Sequence, residues 1–595
     1  MRRQQKNRAE KAYQRKEQYE IAACLSEKVS KRIDTGTTVQ DAGGDIELLV
    51  PLVMAAVIDT GIRNNDRHYV ISMCLVLILL GVVGLAASIT AQYFAAKAAT
   101  GFAGALRHAL FDKIQSLTFS QMDTFGTDTL ITRLTSDVNQ VQNGVNLFLR
   151  LFLRSPFVVF GAMIMAFTVD ARSAMLFVIT IPILSVVVFG IMLATMPLYK
   201  GVQANLDRIM TSTRENLTGV RVIRAFRKEP DETRRFRENN RTLAASQKFV
   251  GRISGLMNPV TYVIINLSTC ALIYVGAVRI DTGILKAGQV VALLNYMSQI
   301  LIELIKLANL IIQMTKAAAC GDRIAAVLAV QPDMKNGKQK LSAVEDDRPA
   351  VAFRDVSLSY KGSAGRALEH ISFEARKGQT VGIIGGTGSG KSSLVNLIPR
   401  FYDVSEGEVD VFGTDVRKLD TASLRDHVGI VLQKAELFKG SIADNLRWGN
   451  AEASSQDFEY ALETSQAKEY VDKKPGGVGY MLEQNGRNLS GGQRQRLTIA
   501  RALMKKPDIL ILDDSASALD FATDAKLRMA IRKMSHSMTT FIVSQRAASV
   551  QYADLILVLD DGKLVGKGTH EELLRSNEVY QEIYYSQFPK EAAHA

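Results

Sequence analysis

The chain is poor in cysteine and tryptophan, and long stretches of it hold no charge. Its 595 residues include four cysteines and one tryptophan. Cys24, Cys74, Cys270 and Cys320 are too few and too scattered for a disulfide-stapled secreted fold, and they match no metal-ligand spacing. They are expected to be ordinary buried thiols. Trp448 follows Ser441-Ile-Ala-Asp-Asn and is expected to be structural. No apolar core follows the basic run at the start, which excludes a signal peptide. Hydrophobic residues make up 47% of the chain, which excludes disorder over its whole length. The length excludes a single small module, since it corresponds to about four domain-sized units.

The mean hydropathy of +0.05 hides two unlike halves. Residues 69–96, 173–199 and 253–278 contain no Asp, Glu, Lys or Arg. Each exceeds the ~20 residues a helix needs to cross about 30 Å of hydrocarbon. Residues 155–169 extend backward through 147–153, with Arg150 and Arg154 placed to snorkel. Residues 287–302 extend forward past Glu303 and Lys306 to Thr315. That makes five spans. A sixth, residues 48–58, is apolar over a length of only about 16 Å at 1.5 Å per residue. Asp41, Gly43, Gly44, Asp45 and Glu47 precede it, so it reads as half a span. A frameshift or misplaced start is the expected reason, a shortened helix the alternative.

The formal charge of +12 is distributed unevenly. Residues 1–32 carry ten Lys/Arg against four Glu, and residues 200–252 carry thirteen Lys/Arg against six Asp/Glu. The positive-inside rule places residues 97–146 and 200–252 in the cytoplasm. Their spacing, as in Leu106, Leu110, Ile114 and Leu117, predicts helices that run on below the membrane. The basic start is read as a solvated cytoplasmic tail, with no nucleic-acid partner expected, because no aromatic pattern accompanies it. Both termini inside require an even number of spans, which the half-span completes.

Residues 331–349 form a polar linker, and an α/β pattern follows. The run TVGII leads into Gly385, Gly386, Thr387, Gly388, Ser389, Gly390, Lys391, Ser392 and Ser393. In this G-x-x-x-x-G-K-S spacing, backbone N–H groups cradle phosphates, the lysine reaches the β- and γ-phosphates, and the first serine ligates Mg²⁺. A helix after it aims its N-terminus at the anion. The run Ile509–Asp513 is an apolar strand ending in a carboxylate suited to Mg²⁺-bound water. Between the two lies Leu489, Ser490, Gly491, Gly492 and Gln493, then a helical pattern, which makes a second anion-binding helix start. The chain already has a phosphate loop, so this second site is expected to serve another nucleotide.

LSGGQ on top of the phosphate loop makes the chain resemble a half-transporter of the ATP-binding cassette exporter family, over about residues 51–588. The implied fold is an α-helical membrane domain of six-span exporter type, its first span truncated, fused to an α/β P-loop cassette. The domains would be residues 1–45 (tail), 46–330 (membrane), 331–349 (linker), 350–588 (cassette) and 589–595 (C-terminal tail). The resemblance implies head-to-tail cassettes, with each ATP and its Mg²⁺ between one chain's phosphate loop and the other chain's signature. It also implies that Tyr360 stacks on adenine and that Gln433 senses Mg²⁺. Residues 517–520, ending in Asp520, match the D-loop. Residues 125–134 and 215–226 match the coupling helices.

Two residues depart from the family pattern. The usual catalytic glutamate is Asp514, one methylene shorter, and the usual switch histidine is Gln545, which cannot carry a charge. Both fall at one site, while the signature is intact. This resembles the degenerate half of heterodimeric multidrug exporters in a cell inner (plasma) membrane. Such a chain exports hydrophobic small molecules with a complementary half-transporter. A homodimeric lipid or peptide translocase and a non-transporting regulatory cassette protein are the competing readings. Glu303 and Lys306, about 24 Å along the last span from residue 287 at 1.5 Å per residue, are either a substrate site or a local ion pair.

Overall fold

The computed structural model describes residues 46–588 except 153, 342–347, 364, 516 and 535–537. The N-terminal tail with Cys24, part of the linker and the C-terminal tail lie outside the described residues. The chain divides into two compact units, one of residues 46–115 and 128–330, the other of 116–127 and 331–588.

In the first unit five helices are long and apolar enough to cross a membrane: Arg67–Ser116, Thr127–Val169, Ala171–Thr218, Glu229–Asp281 and Ala287–Leu328. They run 42 to 53 residues. At 1.5 Å per residue they are roughly 63–80 Å long, over twice the hydrocarbon thickness. Each therefore exceeds a crossing length, and residues 97–116 and 200–252 include the helical extensions that the periodicity predicts. Arg67–Ser116 turns Ile71, Leu75, Ile78, Leu79 and Leu85 outward, each about 60% exposed, which suits lipid or another chain rather than water. Ala162, Ala166, Ala174, Phe177, Leu272, Leu293, Tyr296 and Ile300 pack inward into one core. At its rim Asp170 accepts from Arg279 Nη2 at 2.5 Å and caps its own helix through Ser173 N.

The expected half-span is longer than its apolar run. Residues 46–62 are helical, about 25 Å at 1.5 Å per residue, because Glu47 and Asp59 find partners rather than ending the helix. Tyr296 donates its hydroxyl to Leu48 O at 2.6 Å, and Asp59 Oδ1 accepts from Gly288 N at 2.7 Å. Glu47 pairs with Arg154. Gly288 is required here, since a Cβ would lie 2.4 Å from Ala55 O.

The expectation that the cysteines are buried needs correcting. Cys74 and Cys270 are exposed, because they sit on outward helix faces; of the described cysteines Cys320 is buried. Trp448 is 68% exposed and stacks on Phe438 at 4.3 Å.

The second unit is built on a six-stranded sheet. Its strands in chain order are β3 (Thr380–Gly385), β6 (Val428–Val431), β9 (Ile509–Asp513), β10 (Thr539–Val543), β11 (Leu555–Asp560) and β12 (Lys563–Gly568). The order across the sheet is β12-β11-β3-β10-β9-β6. All pairs but β11–β12 are parallel. β9 and β10 are buried along their whole length, as strands covered on both faces must be. β1 (Val351–Leu358), β2 (Leu368–Ala375), β4 (Glu406–Val411) and β5 (Thr414–Asp415) form a four-stranded antiparallel sheet in the order β2-β1-β4-β5, and β7 (Gly440–Ser441) pairs with β8 (Met481–Leu482). A helical region including Ile442–Arg447, Ser455–Thr464 and Gly491–Leu503 packs on the parallel sheet through Leu446, Leu462, Leu497 and Leu510.

Residues 116–127 belong to this second unit although their neighbours on both sides belong to the first. The helix Phe119–Phe125 starts at a capping box of Thr118 and Gln121 and stops at Gly126, whose φ is +75°. Phe119 packs on Phe401 at 4.4 Å, and Tyr402 donates to Asp123 at 2.7 Å. The segment lying on the cassette is therefore upstream of the expected 125–134, because the aromatic anchor is Phe119.

Candidate functional site

Parallel strands leave their carboxyl ends on one edge, and the ligand crevice of an open α/β sheet opens there. β3 ends at Gly385, the loop 386–390 turns, and the helix Lys391–Leu397 begins. Gly390 has φ +92°, and a Cβ there would lie 2.7 Å from Ala367 O, so only glycine closes this turn. Lys391 is 8% exposed. Its ammonium donates to Gly385 O (3.0 Å), Gly386 O (2.5 Å) and Ser389 Oγ (3.3 Å). Burial pushes its pKa below the usual lysine value, opposed by the charges of Asp514 and Asp513. A desolvated cation held by neutral oxygens is a ready partner for an anion.

β9 ends at Asp513, which accepts from Ser392 Oγ at 3.0 Å. Burial pushes the Asp513 carboxyl above its ordinary range, with the Ser392 hydrogen bond opposing. A hydroxyl beside a carboxylate is a hard-oxygen pair of the kind that holds Mg²⁺ together with phosphate and water. Among the described residues no cluster of three or more His, Cys, Asp or Glu exists to cage a metal alone. The donor set thus fits a nucleotide-borne Mg²⁺. Asp514 adopts φ +45°, with its N–H on Val543 O at 3.0 Å. Gln433 Nε2 donates to Asp514 Oδ2 at 3.3 Å.

These groups meet in a single cleft of ≈ 370 Å³. Tyr360, Thr387, Gly388, Gly390, Lys391, Ser392, Ser393, Gln433, Asp513, Asp514 and Gln545 line it. The Tyr360 hydroxyl is fixed on Ser393 Oγ at 2.9 Å, and Tyr402 meets its ring edge-on at 5.1 Å. Arg366, Asp561 and Gly562 also line the cleft. The Asp-Gly pair is a hairpin signal between β11 and β12; nothing in the sequence marks Arg366.

The signature residues are not brought into this cleft. Ser490 caps the helix Gly491–Leu503: its Oγ accepts from Gln493 N, and Gln493 Oε1 accepts from Ser490 N at 3.1 Å. Gly491 and Gly492 form its first turn. Asp520 likewise lies outside the cleft and caps the helix Phe521–Arg532 through Thr523 N at 3.0 Å, which holds its carboxyl below the usual range.

The sequence matches two families: the ABC transporter transmembrane region over residues 42–304 and the ABC transporter over residues 368–517. It is 37% identical over 550 residues to the uncharacterized ABC transporter ATP-binding protein YfiB of Bacillus subtilis, covering 92% of this chain and 95% of that one. It is 30% identical to the ATP-dependent lipid A-core flippase of Escherichia coli over 91% of this chain and 92% of that one. A solved structure of a bacterial Atm1-family ABC exporter with ATP bound superposes with a TM-score of 0.78 at 22% identity, covering 95% of this chain and 99% of the other. A helical membrane domain fused to a P-loop ATPase domain, with the fold of that exporter structure and relatives matched along nearly their whole length, places the chain in the ABC transporter family.

Proposed function

We propose that the chain exports hydrophobic or amphipathic small molecules across the inner (plasma) membrane as one half of a heterodimer, with both termini in the cytoplasm. Its own cleft binds MgATP and hydrolyses it slowly; its signature, Ser490 to Gln493, completes the competent site of a complementary half-transporter. The observation that carries this is the shared location of the two departures. Asp514 and Gln545 line the same cleft as Lys391, Ser392 and Asp513, so the binding groups are kept where the reactive ones are changed. Asp514 is one methylene short of glutamate and already engaged by Gln433. A displacement of about 1 Å in a general base costs roughly 10²-fold.

Exposed apolar residues support a second chain. Leu217 and Phe226, flanking the break at Gly219, are 72% and 73% exposed. The test is ATPase activity of the purified chain alone and with its complementary half. Slow turnover alone and at least ~10-fold faster turnover in the pair is expected. Brisk turnover by the chain alone overturns the asymmetric reading. It would favour a homodimeric lipid translocase, a reading supported by the 30% identity to a lipid A-core flippase.

Glu303 supports a cationic substrate class. It is 7% exposed, accepts from Ser155 Oγ at 2.7 Å and pairs with Lys306 Nζ at 2.8 Å. A buried carboxylate in a membrane helix is a functional group by default. Glu303→Gln is expected to lower transport of a cationic dye about fivefold, equivalent to about 1 kcal/mol, and leave a neutral dye unchanged. Equal loss for both dyes would make the pair structural.

A further inference from the structure

We propose that Gln587, in the last turn of the C-terminal helix Glu578–Gln587, is a positioning residue for the switch loop of the nucleotide cleft. The proposal rests on reading that cleft as the ATP site. Gln587 Oε1 accepts from Ala547 N–H at 2.9 Å, and Nε2 donates to Gln545 O at 2.8 Å. The two contacts straddle Arg546, so one amide bridges the loop from both sides. Its orientation is fixed by chemistry: a backbone N–H only donates and a carbonyl only accepts, so the amide cannot be flipped.

The loop so held carries Gln545, the family's switch position, into the cleft. Other ties come from other segments. Ser544 N donates to Ile383 O at 3.0 Å. The Arg546 guanidinium donates to Ser517 O at 3.3 Å and covers the Phe521 ring at 5.2 Å. The loop is therefore clamped between the D-loop segment and the C-terminal helix.

The helix that carries Gln587 is itself anchored. Tyr580, Tyr584 and Gln587 fall at i, i+4 and i+7 and share one face. Tyr580 is fully buried with its hydroxyl 2.8 Å from His570 Nδ1, and Tyr584 stacks on Phe588 at 4.9 Å. Gln587 does not line the cleft, so its loss bears on where Gln545 sits rather than on whether ATP enters.

The test uses the full chain in lipid nanodiscs, with Gln587→Ala and the rescue control Gln587→Glu, which keeps the acceptor and loses the donor. Turnover is read in whichever is faster, the unchanged chain or Asp514→Glu/Gln545→His. Gln587→Ala is expected to lower kcat about fivefold with KM for ATP within about twofold, and Gln587→Glu to fall between. A kcat within twofold of the parent overturns the proposal, as does a joint loss of kcat, KM and Tm. Independently of turnover, amide exchange at Ala547 is expected to quicken about tenfold in Gln587→Ala, since its acceptor is gone. Unchanged exchange overturns the clamp. Absence of turnover in both parents would count against the ATP-site reading and leave the exchange result to decide the clamp.

Discussion

The cassette has two surfaces that would face nucleotide, and they are built differently. The cleft at the strand ends draws side chains from at least five segments, Tyr360, Lys391–Ser393, Gln433, Asp513–Asp514 and Gln545. The signature surface is a single helix start, capped by Ser490 with Gly491 and Gly492 in its first turn. Chemistry at the first depends on the reach of particular side chains; chemistry at the second relies on backbone N–H groups and a hydroxyl. Both departures from the family pattern lie on the first surface. On the proposed reading they fall where the reach and charge of a side chain matter, while the anion-binding parts around them, the loop and Lys391, are unaltered.

The largest effect should come from removing the charge that both readings of the cleft share. Lys391→Ala is expected to weaken ATP binding by the isolated chain at least about 100-fold, because the desolvated ammonium is the strongest anion partner there. Photolabelling with an azido-ATP analogue reads this directly. Retained labelling would move the nucleotide to the signature side and dissolve the contrast between the surfaces. The next effect sharpens it. Asp514→Glu/Gln545→His is expected to raise turnover of the chain alone by about 10- to 100-fold, by restoring the base's reach and an ionisable switch. No gain would mean that the slow step lies outside these two side chains.

How much of this could be read from the chain differs between the same regions. The five spans, the P-loop and the signature were legible because each is local, a charge-free run or a fixed spacing. The first helix was not. Its polar ends, Glu47 and Asp59, looked like boundaries until Arg154 and Gly288 supplied partners more than 100 residues away. Nothing local marks Phe119 as an anchor for the same reason: its partner Phe401 lies far along the sequence. Arg366 at the cleft and Gln587 at the switch loop belong to no motif, and only tertiary contacts place them. Asp514 and Gln545 stand out in the sequence as departures from a pattern, and the resemblance already assigns both to one site; the structure adds that their side chains line one cleft with Lys391, Ser392 and Asp513.

The smallest effect concerns pH and acts on the cleft side alone. Burial holds the His570 pKa below its ordinary value, with Glu571 opposing. The Tyr580 hydroxyl, itself raised to about 12 by burial, lies 2.8 Å from Nδ1 and donates to it in the neutral tautomer whose proton is on Nε2. A protonated imidazole carries N–H on both nitrogens and loses that acceptor. A folded pKa below the unfolded one means the unfolded chain binds more protons. The contribution is therefore complete above the unfolded pKa of about 6.5 and lost as pH falls through the depressed folded value. The Tm of the unchanged chain should drop more between pH 7 and pH 5 than that of His570→Gln, measured by differential scanning fluorimetry. The same window should loosen the helix carrying Gln587, so amide exchange at Ala547 should quicken in acid in the unchanged chain, after correction for intrinsic exchange. Exchange around Ser490 should not, since its cap uses a hydroxyl and an amide that do not titrate. Parallel changes at both places would show that the cassette softens as a whole, and the two surfaces would then be one mechanical unit.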